Sequence, residues 1–436
     1  MKQIATITIL FSLILTMTAS TVFAGGYQLN LHGQRQIGMG HAGTGLPLDV
    51  STIALNPAGL AVLDHNGVLL GSSATFIKTT FKTGPDMIPG LPADYKAETD
   101  NPMRTPFNLY ASYDLPIQNL RAGLGVYTPY GNAVRWGEDW MYSGLLSEIS
   151  MFTVFVQPTL SFKVNDNLSF GAGLIVAYGD VNLQRNTEID LPALGLSNIP
   201  LSIELDGSTT NIGYNLGMFV QQSDVLSIGV SYRSKINMDV KGGDADFILG
   251  GVPAEVSGML TPAGNAFDAT LPLPAVVNLG IGIRPTETLR IAVDANLTFW
   301  SAYEDLTFTF EQRTALVQNS SEPRKFNDKW IFRAGGEYDV NEQFQVRLGG
   351  YYDASPVDAG FITPETPDVD RFGISTGASY AFTPALRLDA SLLFITSSER
   401  EQSLEKASER GTPSVVPVGT FQTTAFIPGL AVSYRF

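Results

Sequence analysis

From about residue 67 onward, apolar and polar side chains take turns along the chain. Leu226, Ile228, Val230 and Tyr232 alternate with Ser227, Gly229, Ser231 and Arg233. Leu289, Ile291, Val293, Ala295, Leu297 and Phe299 alternate with Arg290, Ala292, Asp294, Asn296 and Thr298. Phe344, Val346 and Leu348, and Leu386, Leu388, Ala390 and Leu392, repeat the pattern. A period of two predicts strands with one apolar and one polar face. Several polar faces carry Arg and Asp together while the apolar faces run unbroken, which suits a lipid-facing exterior around a polar interior. A soluble β-sandwich would bury the apolar faces instead, and periodicity alone does not separate the two.

The connections separate them. Short ones fall near Gln118-Asn119, Asn165-Asp166-Asn167, Ser223-Asp224, residues 285–288, Asn341-Glu342 and Thr383-Pro384. Long ones span roughly 83–104, 131–149, 188–208, 242–270, 314–328, 355–369 and 403–418. Short turns at one end and long loops at the other are the habit of a transmembrane barrel, and the runs between them number about fourteen, an even count as such barrels require. The expected fold is therefore all-β: a transmembrane antiparallel β-barrel of about 14 strands. Leu430, Val432, Tyr434 and Phe436 form a last strand that should pair with the first, since a bare edge of this kind would aggregate.

Residues 25–66 do not alternate. They are too many for a linker and too few for an independent domain. A plug, or hatch, inside the lumen fits, because a barrel of this size is otherwise an open channel. Before it, Lys2, an apolar run over residues 4–17 and Val22-Phe23-Ala24 predict a secretory signal peptide cut after Ala24, with an uncleaved anchor as the rival. The domains expected are a signal peptide at 1–24, the hatch at 25–66 and the barrel at 67–436.

Composition sharpens this picture. Only 16% of residues are charged, against roughly 25% in ordinary soluble domains. Mean hydropathy is +0.08, too low for a bundle of membrane helices. With no cysteine, the chain forms neither disulfides nor thiolate metal sites. A net charge of −15 argues against nucleic-acid partners. Gly38, Gly40 and Gly43 match the dinucleotide spacing G-x-G-x-x-G, but no βαβ unit surrounds them. His32, His41 and His65 lack metal-ligand spacing, and no nucleophile motif is present. No enzyme activity, cofactor or metal is expected.

Two features point to hydrophobic ligands. The connections hold apolar clusters, Leu191, Leu194, Leu196, Ile199 and Leu201 in one, and Phe247, Ile248, Leu249, Val252, Val256, Met259 and Leu260 in another. Exposed apolar patches mark binding surfaces, although such loops can also simply lid the barrel. Tyr127-Thr128-Pro129-Tyr130-Gly131 ends the third strand, where Pro removes a ladder donor and Gly weakens pairing. Either the strand stops there or a kink opens the wall sideways.

Taken in order, Gly26-Tyr27-Gln28-Leu29-Asn30, Gly38-Met39-Gly40-His41-Ala42-Gly43, Asn56-Pro57-Ala58-Gly59-Leu60, Tyr127-Thr128-Pro129-Tyr130-Gly131, Tyr232-Arg233-Ser234-Lys235, Asp353-Ala354-Ser355-Pro356-Val357, Pro367-Asp368-Val369-Asp370-Arg371-Phe372 and a terminal Phe resemble the FadL family of outer-membrane long-chain fatty acid and hydrocarbon transporters. The resemblance covers nearly the whole mature chain. It implies a hatch gate at Asn56, Pro57 and Ala58, and a lateral exit at Tyr127, Thr128, Pro129, Tyr130 and Gly131. To the candidate substrate contacts of the apolar loops, Leu191, Leu194, Phe247, Ile248 and Leu249, it adds Arg185, near a bound carboxylate. The family's second basic position falls on Asn327, leaving Lys325 or Lys329 to replace it, or an uncharged ligand. The expected function is passive, ligand-gated uptake of hydrophobic compounds, foremost long-chain fatty acids, by a monomer in the outer membrane of a Gram-negative bacterium, with outer-membrane lipid as its surroundings. The alternatives are a monoaromatic hydrocarbon channel and, from another class, a structural or adhesive barrel without transport.

Overall fold

The computed structural model describes residues 26–84, 94–408 and 417–436. The signal-peptide expectation lies outside these residues, as do parts of two long connections.

Fourteen antiparallel strands close into a barrel, several of them broken in mid-wall. They are β1 (Gly67–Ser73 and Phe76–Lys82), β2 (Lys96–Glu98 and Phe107–Asp114), β3 (Leu120–Tyr127 and Gly131–Arg135), β4 (Glu148–Asn165), β5 (Leu168–Leu191), β6 (Leu196–Gln221) and β7 (Leu226–Arg233 and Ile236–Leu249). Then come β8 (Asn265–Leu273 and Val276–Ile283), β9 (Leu289–Thr298 and Asp305–Phe310), β10 (Ser320–Pro323 and Lys329–Asp339), β11 (Phe344–Asp353), β12 (Arg371–Ala381), β13 (Leu386–Ser397 and Arg400–Gln402) and β14 (Gly419–Arg435). β14 closes the wall against β1, from Gly67 opposite Arg435 to Ser73 opposite Gly429.

The polarity is that of a membrane barrel. Leu70, Leu160, Leu174, Ile212, Leu348, Ile374 and Leu430 face outward and exposed, while Gln157, Asn215, Arg233, Asp294, Arg333, Glu337, Arg347 and Asp389 are buried in the lumen. No helix among the described residues is long and apolar enough to cross a membrane.

The connections at 188–208 and 242–270 differ from expectation. β5 and β6 continue as one long hairpin to a short turn at Pro192–Leu194, and β7 and β8 extend to a loop holding a helix at Ala254–Leu260. Beyond the bilayer no lipid enforces outward apolar side chains, so the strands persist with a different polarity pattern and read as loops.

The hatch fills the lumen. It contains α1 (Gln34–Gly38), α2 (Thr52–Leu55) and a 3-10 turn, Pro57–Val62. Arg35 docks it at the short-turn end of the barrel. Its Nη2 and Nε donate to the Glu337 carboxylate at 2.6 and 3.1 Å, and its Nη1 to the Leu48 carbonyl at 2.5 Å. Arg347 Nε and Arg290 Nη1 donate to the same carboxylate at 2.6 and 3.0 Å. Asp294 on β9 accepts from the backbone N–H groups of Gly43 and Thr44, each at 2.9 Å. The Gly-rich segment thus serves close approach rather than phosphate binding: Gly40 has a φ of +66°, and a side chain there would strike the backbone of Gly350.

Candidate functional site

The kink in β3 is a gap in hydrogen bonding. Below it, β2 and β3 pair from Asp114 opposite Arg121 up to Asn108 opposite Tyr127. Above it, the Gly131–Arg135 piece pairs with β4 alone. It rejoins β2 only at its tip, where Asp100 N–H donates to the Arg135 carbonyl at 2.9 Å and Arg135 N–H to Asn101 Oδ1 at 2.8 Å. Pro102, Pro106 and Pro129 stand in the interval, and proline has no N–H for a ladder. The expected end of strand β3 is therefore an interruption, with the strand resuming at Gly131.

The first hatch residues cover this gap from inside. Leu29 N–H donates to the Pro129 carbonyl at 2.8 Å and Gly131 N–H to the Tyr27 carbonyl at 3.1 Å, which makes Gln28 and Tyr130 an antiparallel bridge. Between this segment and the wall lies a cavity of about 460 Å³, bordered by Leu29, Pro106, Phe107, Thr128 and Phe152.

A second, smaller cavity of about 100 Å³ sits beside it under β4 to β9, and its wall is apolar: Met151, Leu183, Leu205, Met238, Val240 and Phe267. Tyr27 closes one end, its hydroxyl donating to the Pro272 carbonyl at 2.5 Å and its ring set edge-on to Trp300 and Tyr303. Asp180 and Glu365 are the two charged residues lining it, and no Lys, Arg or His does so among the described residues. Six residues, Tyr27, Asn132, Met151, Phe152, Glu365 and Thr366, line both cavities, so the two spaces adjoin.

The residues expected from sequence distribute as follows. Thr128, Tyr130 and Gly131 line the larger cavity, with Tyr127 and Pro129 immediately beside it. Asn56 is fully buried: its Oδ1 accepts from Ala58 N–H at 3.1 Å, and its Nδ2 donates to the carbonyls of Thr44 and Met218 at 3.1 Å each. Pro57 begins the 3-10 turn, and the Ala58 carbonyl accepts from Ser169 and Ser161. Leu191 and Leu249 pack with Ile199 and Leu201 in a separate cluster nearer the loops, while Leu194 and Ile248 are exposed. Phe247 lies edge-on to Phe310 at 5.4 Å. Arg185 is half-buried on β5; its charge acts on Glu365, and its Nε has no hydrogen-bond partner. Lys325 Nζ sits 5.4 Å from the Phe361 ring, and Lys329 lies in β10 opposite Thr298. Neither cavity is lined by Arg185, Leu191, Leu194, Phe247, Ile248, Leu249, Lys325 or Lys329.

Met238, Val240, Phe267, Tyr27 and Glu365 are absent from the sequence-derived set. A signal for two of them exists: along β7 the buried residues change from Ser227, Ser231 and Arg233 to Met238 and Val240, with Asn237, Asp239 and Lys241 turned outward. That reversal, at the break Ser234-Lys235, marks where the lumen turns apolar.

A model of the family described as outer membrane protein transport protein (OMPP1/FadL/TodX) matches residues 15–436. A long-chain fatty acid transport protein of Salmonella typhi is 23% identical over 398 residues, covering 86% of this chain and 88% of its own. The crystal structure of a Pseudomonas aeruginosa FadL homologue superposes with a TM-score of 0.80 at 22% identity, covering 94% of this chain and all of that one. The Ralstonia pickettii toluene transporter TbuX does so with a TM-score of 0.68 at 19% identity, covering 93% and 98%. At these identities the structural likeness establishes the fold.

Proposed function

This chain belongs to the OMPP1/FadL/TodX family of outer membrane transport proteins, and from that premise we propose that it takes up long-chain acyl compounds through the apolar cavity and out of the barrel wall at the β3 kink. The observation that carries this reading is that an apolar cavity in the lumen adjoins a cavity at the β3 kink, the two sharing a wall at Tyr27, Asn132 and Met151.

Entry needs no energy source. An acyl chain gains about 0.8 kcal/mol for each CH₂ it buries, so an apolar lining retains it without a polar anchor. The larger cavity then leads to Phe107 and Phe152, whose rings are exposed on the lipid side. The bilayer is the natural sink for such a ligand, and its concentration gradient supplies the drive. The moving part in this reading is the segment around Gln28, held at the kink by two backbone hydrogen bonds; the Asn56-Pro57-Ala58 turn, bonded on every side, acts as its fixed seat. A monoaromatic ligand would use the same apolar lining, and competition between oleate and toluene separates the two.

The test is uptake of labelled oleate and oleyl alcohol by cells carrying the parent chain, a deletion, or Met238→Asp. A carboxylate buried among apolar side chains costs several kcal/mol unless it neutralises, so Met238→Asp should cut uptake by about tenfold or more while the barrel still shows heat-modifiable migration. Uptake of neither compound changing on deletion would leave a structural or adhesive barrel as the better reading.

A further inference from the structure

Of the six residues common to both cavities, only Glu365 carries a charge. It stands on the connection between β11 and β12, and other side chains hold this stretch in place. Asn132 Nδ2 donates to the Glu365 carbonyl at 2.5 Å and Trp136 Nε1 to the Pro364 carbonyl at 3.0 Å. The Glu365 side chain is 13% exposed, and its Oε1 lies 2.5 Å from Nη2 of Arg324, itself 1% exposed. Burial alone would push the Glu365 carboxyl up; the Arg324 charge outweighs it and, with Arg185, holds the group below the ordinary glutamate range, so it is ionised at neutral pH.

This arrangement bears on which head group can pass. A fatty acid anion in the apolar cavity needs a cation, and the cavity lining offers none. The Arg324 guanidinium behind Glu365 lines neither cavity and is matched by Glu365 at 2.5 Å and Glu322 at 3.8 Å. Of the two guanidinium groups on the larger cavity, Arg371 stands 3.5 Å from Asp353 and 3.6 Å from Asp368, and Arg104 sits at the solvent-exposed rim, donating to Ser150.

We infer that Glu365 is a specificity-determining residue: its carboxylate, held in place by Arg324, presents negative charge where the two cavities adjoin, so uncharged long-chain compounds pass from pocket to wall while fatty acid anions are held back. The inference rests on the transport reading above and narrows the ligand's head group. Neutralising Glu365 removes that negative charge from the shared wall and admits the anion.

The experiment compares oleate with oleyl alcohol, which share a chain and differ in charge, binding to the full-length protein in detergent at pH 8. The parent should bind the alcohol about tenfold more tightly than oleate, the scale of one partly compensated like charge at a partly buried site. Glu365→Gln should gain oleate affinity by a similar factor and leave the alcohol unchanged. Arg185→Gln, which keeps the Arg324 pair, should weaken oleate further without touching the alcohol. A purely structural Glu365–Arg324 pair would shift both ligands together in Glu365→Gln, and that result overturns the inference. So does equal binding of the two ligands by the parent, a measurement that stands even where Glu365→Gln fails to fold. Binding of neither ligand by the parent sinks the transport reading itself, and the inference with it.

Discussion

The two ends of the lumen are built on opposite principles. At the short-turn end, hatch and wall are joined by charge: Arg35, Arg290 and Arg347 converge on Glu337, and Asp294 grips the backbone at Gly43 and Thr44. Toward the loops, the N-terminal segment meets the wall through two backbone hydrogen bonds at the β3 kink, the Tyr27 hydroxyl on the Pro272 carbonyl and Gly26 N–H on Asp368, beside an apolar cavity and under an aromatic cluster in which Trp136 stacks on Trp140 at 4.4 Å. A buried ion network tolerates little displacement, because any shift strands a desolvated charge. Apolar contacts are non-directional and allow side chains to slide. One end is therefore a foundation and the other a place where a ligand can rearrange its surroundings.

That contrast can be broken at several points. Glu337→Ala leaves three arginines without their shared carboxylate and should cost about 3–5 kcal/mol, read as a lower urea midpoint for loss of heat-modifiable migration; an unchanged midpoint would mean the charge network does not anchor the hatch. Next, the absence of native cysteine makes a tether clean. Gln28→Cys with Tyr130→Cys, a bridged pair whose Cα spacing suits a disulfide, should lose most uptake when oxidised and regain it with reductant. Full uptake by the oxidised form would show that the segment need not move. Trp136→Phe keeps a buried ring but loses the indole N–H bond to the Pro364 carbonyl, worth about 1 kcal/mol, so the midpoint should move less than for Glu337→Ala. The smallest change is expected for Arg185→Ala: stability near that of the parent, fatty acid uptake weakened and hydrocarbon uptake intact. Equal fatty acid uptake by mutant and parent would remove Arg185 from any role in head-group discrimination.

The wall was legible in the sequence because lipid enforces an alternation on every strand that crosses it, as in Leu226-Ser227-Ile228 or Leu386-Arg387-Leu388, and because connections that are short at one end and long at the other separate a barrel from a sandwich. The hatch was legible for the complementary reason: residues 26–62 obey no such rule and pack inside. The pocket was not. Met238 and Phe267 lie on strand extensions above the bilayer, where polarity reverses and looks like loop. Tyr27 and Glu365 come from aperiodic segments more than three hundred positions apart, and nothing local in either announces that they meet. The loop residues Leu191, Phe247 and Leu249 were picked for their apolar character, which the structure uses in packing them on one another.

The closure of β14 on β1 has a consequence for biogenesis. The hatch precedes every strand in the chain, yet the staves that enclose it are completed only when the last one arrives. Gly349 and Gly335 approach Met39 so tightly that even a methyl group would collide, which leaves no clearance for threading a stopper into a finished ring. The stopper must already be seated while the sheet is still open, and the final seam between Gly67 and Arg435 then makes it captive.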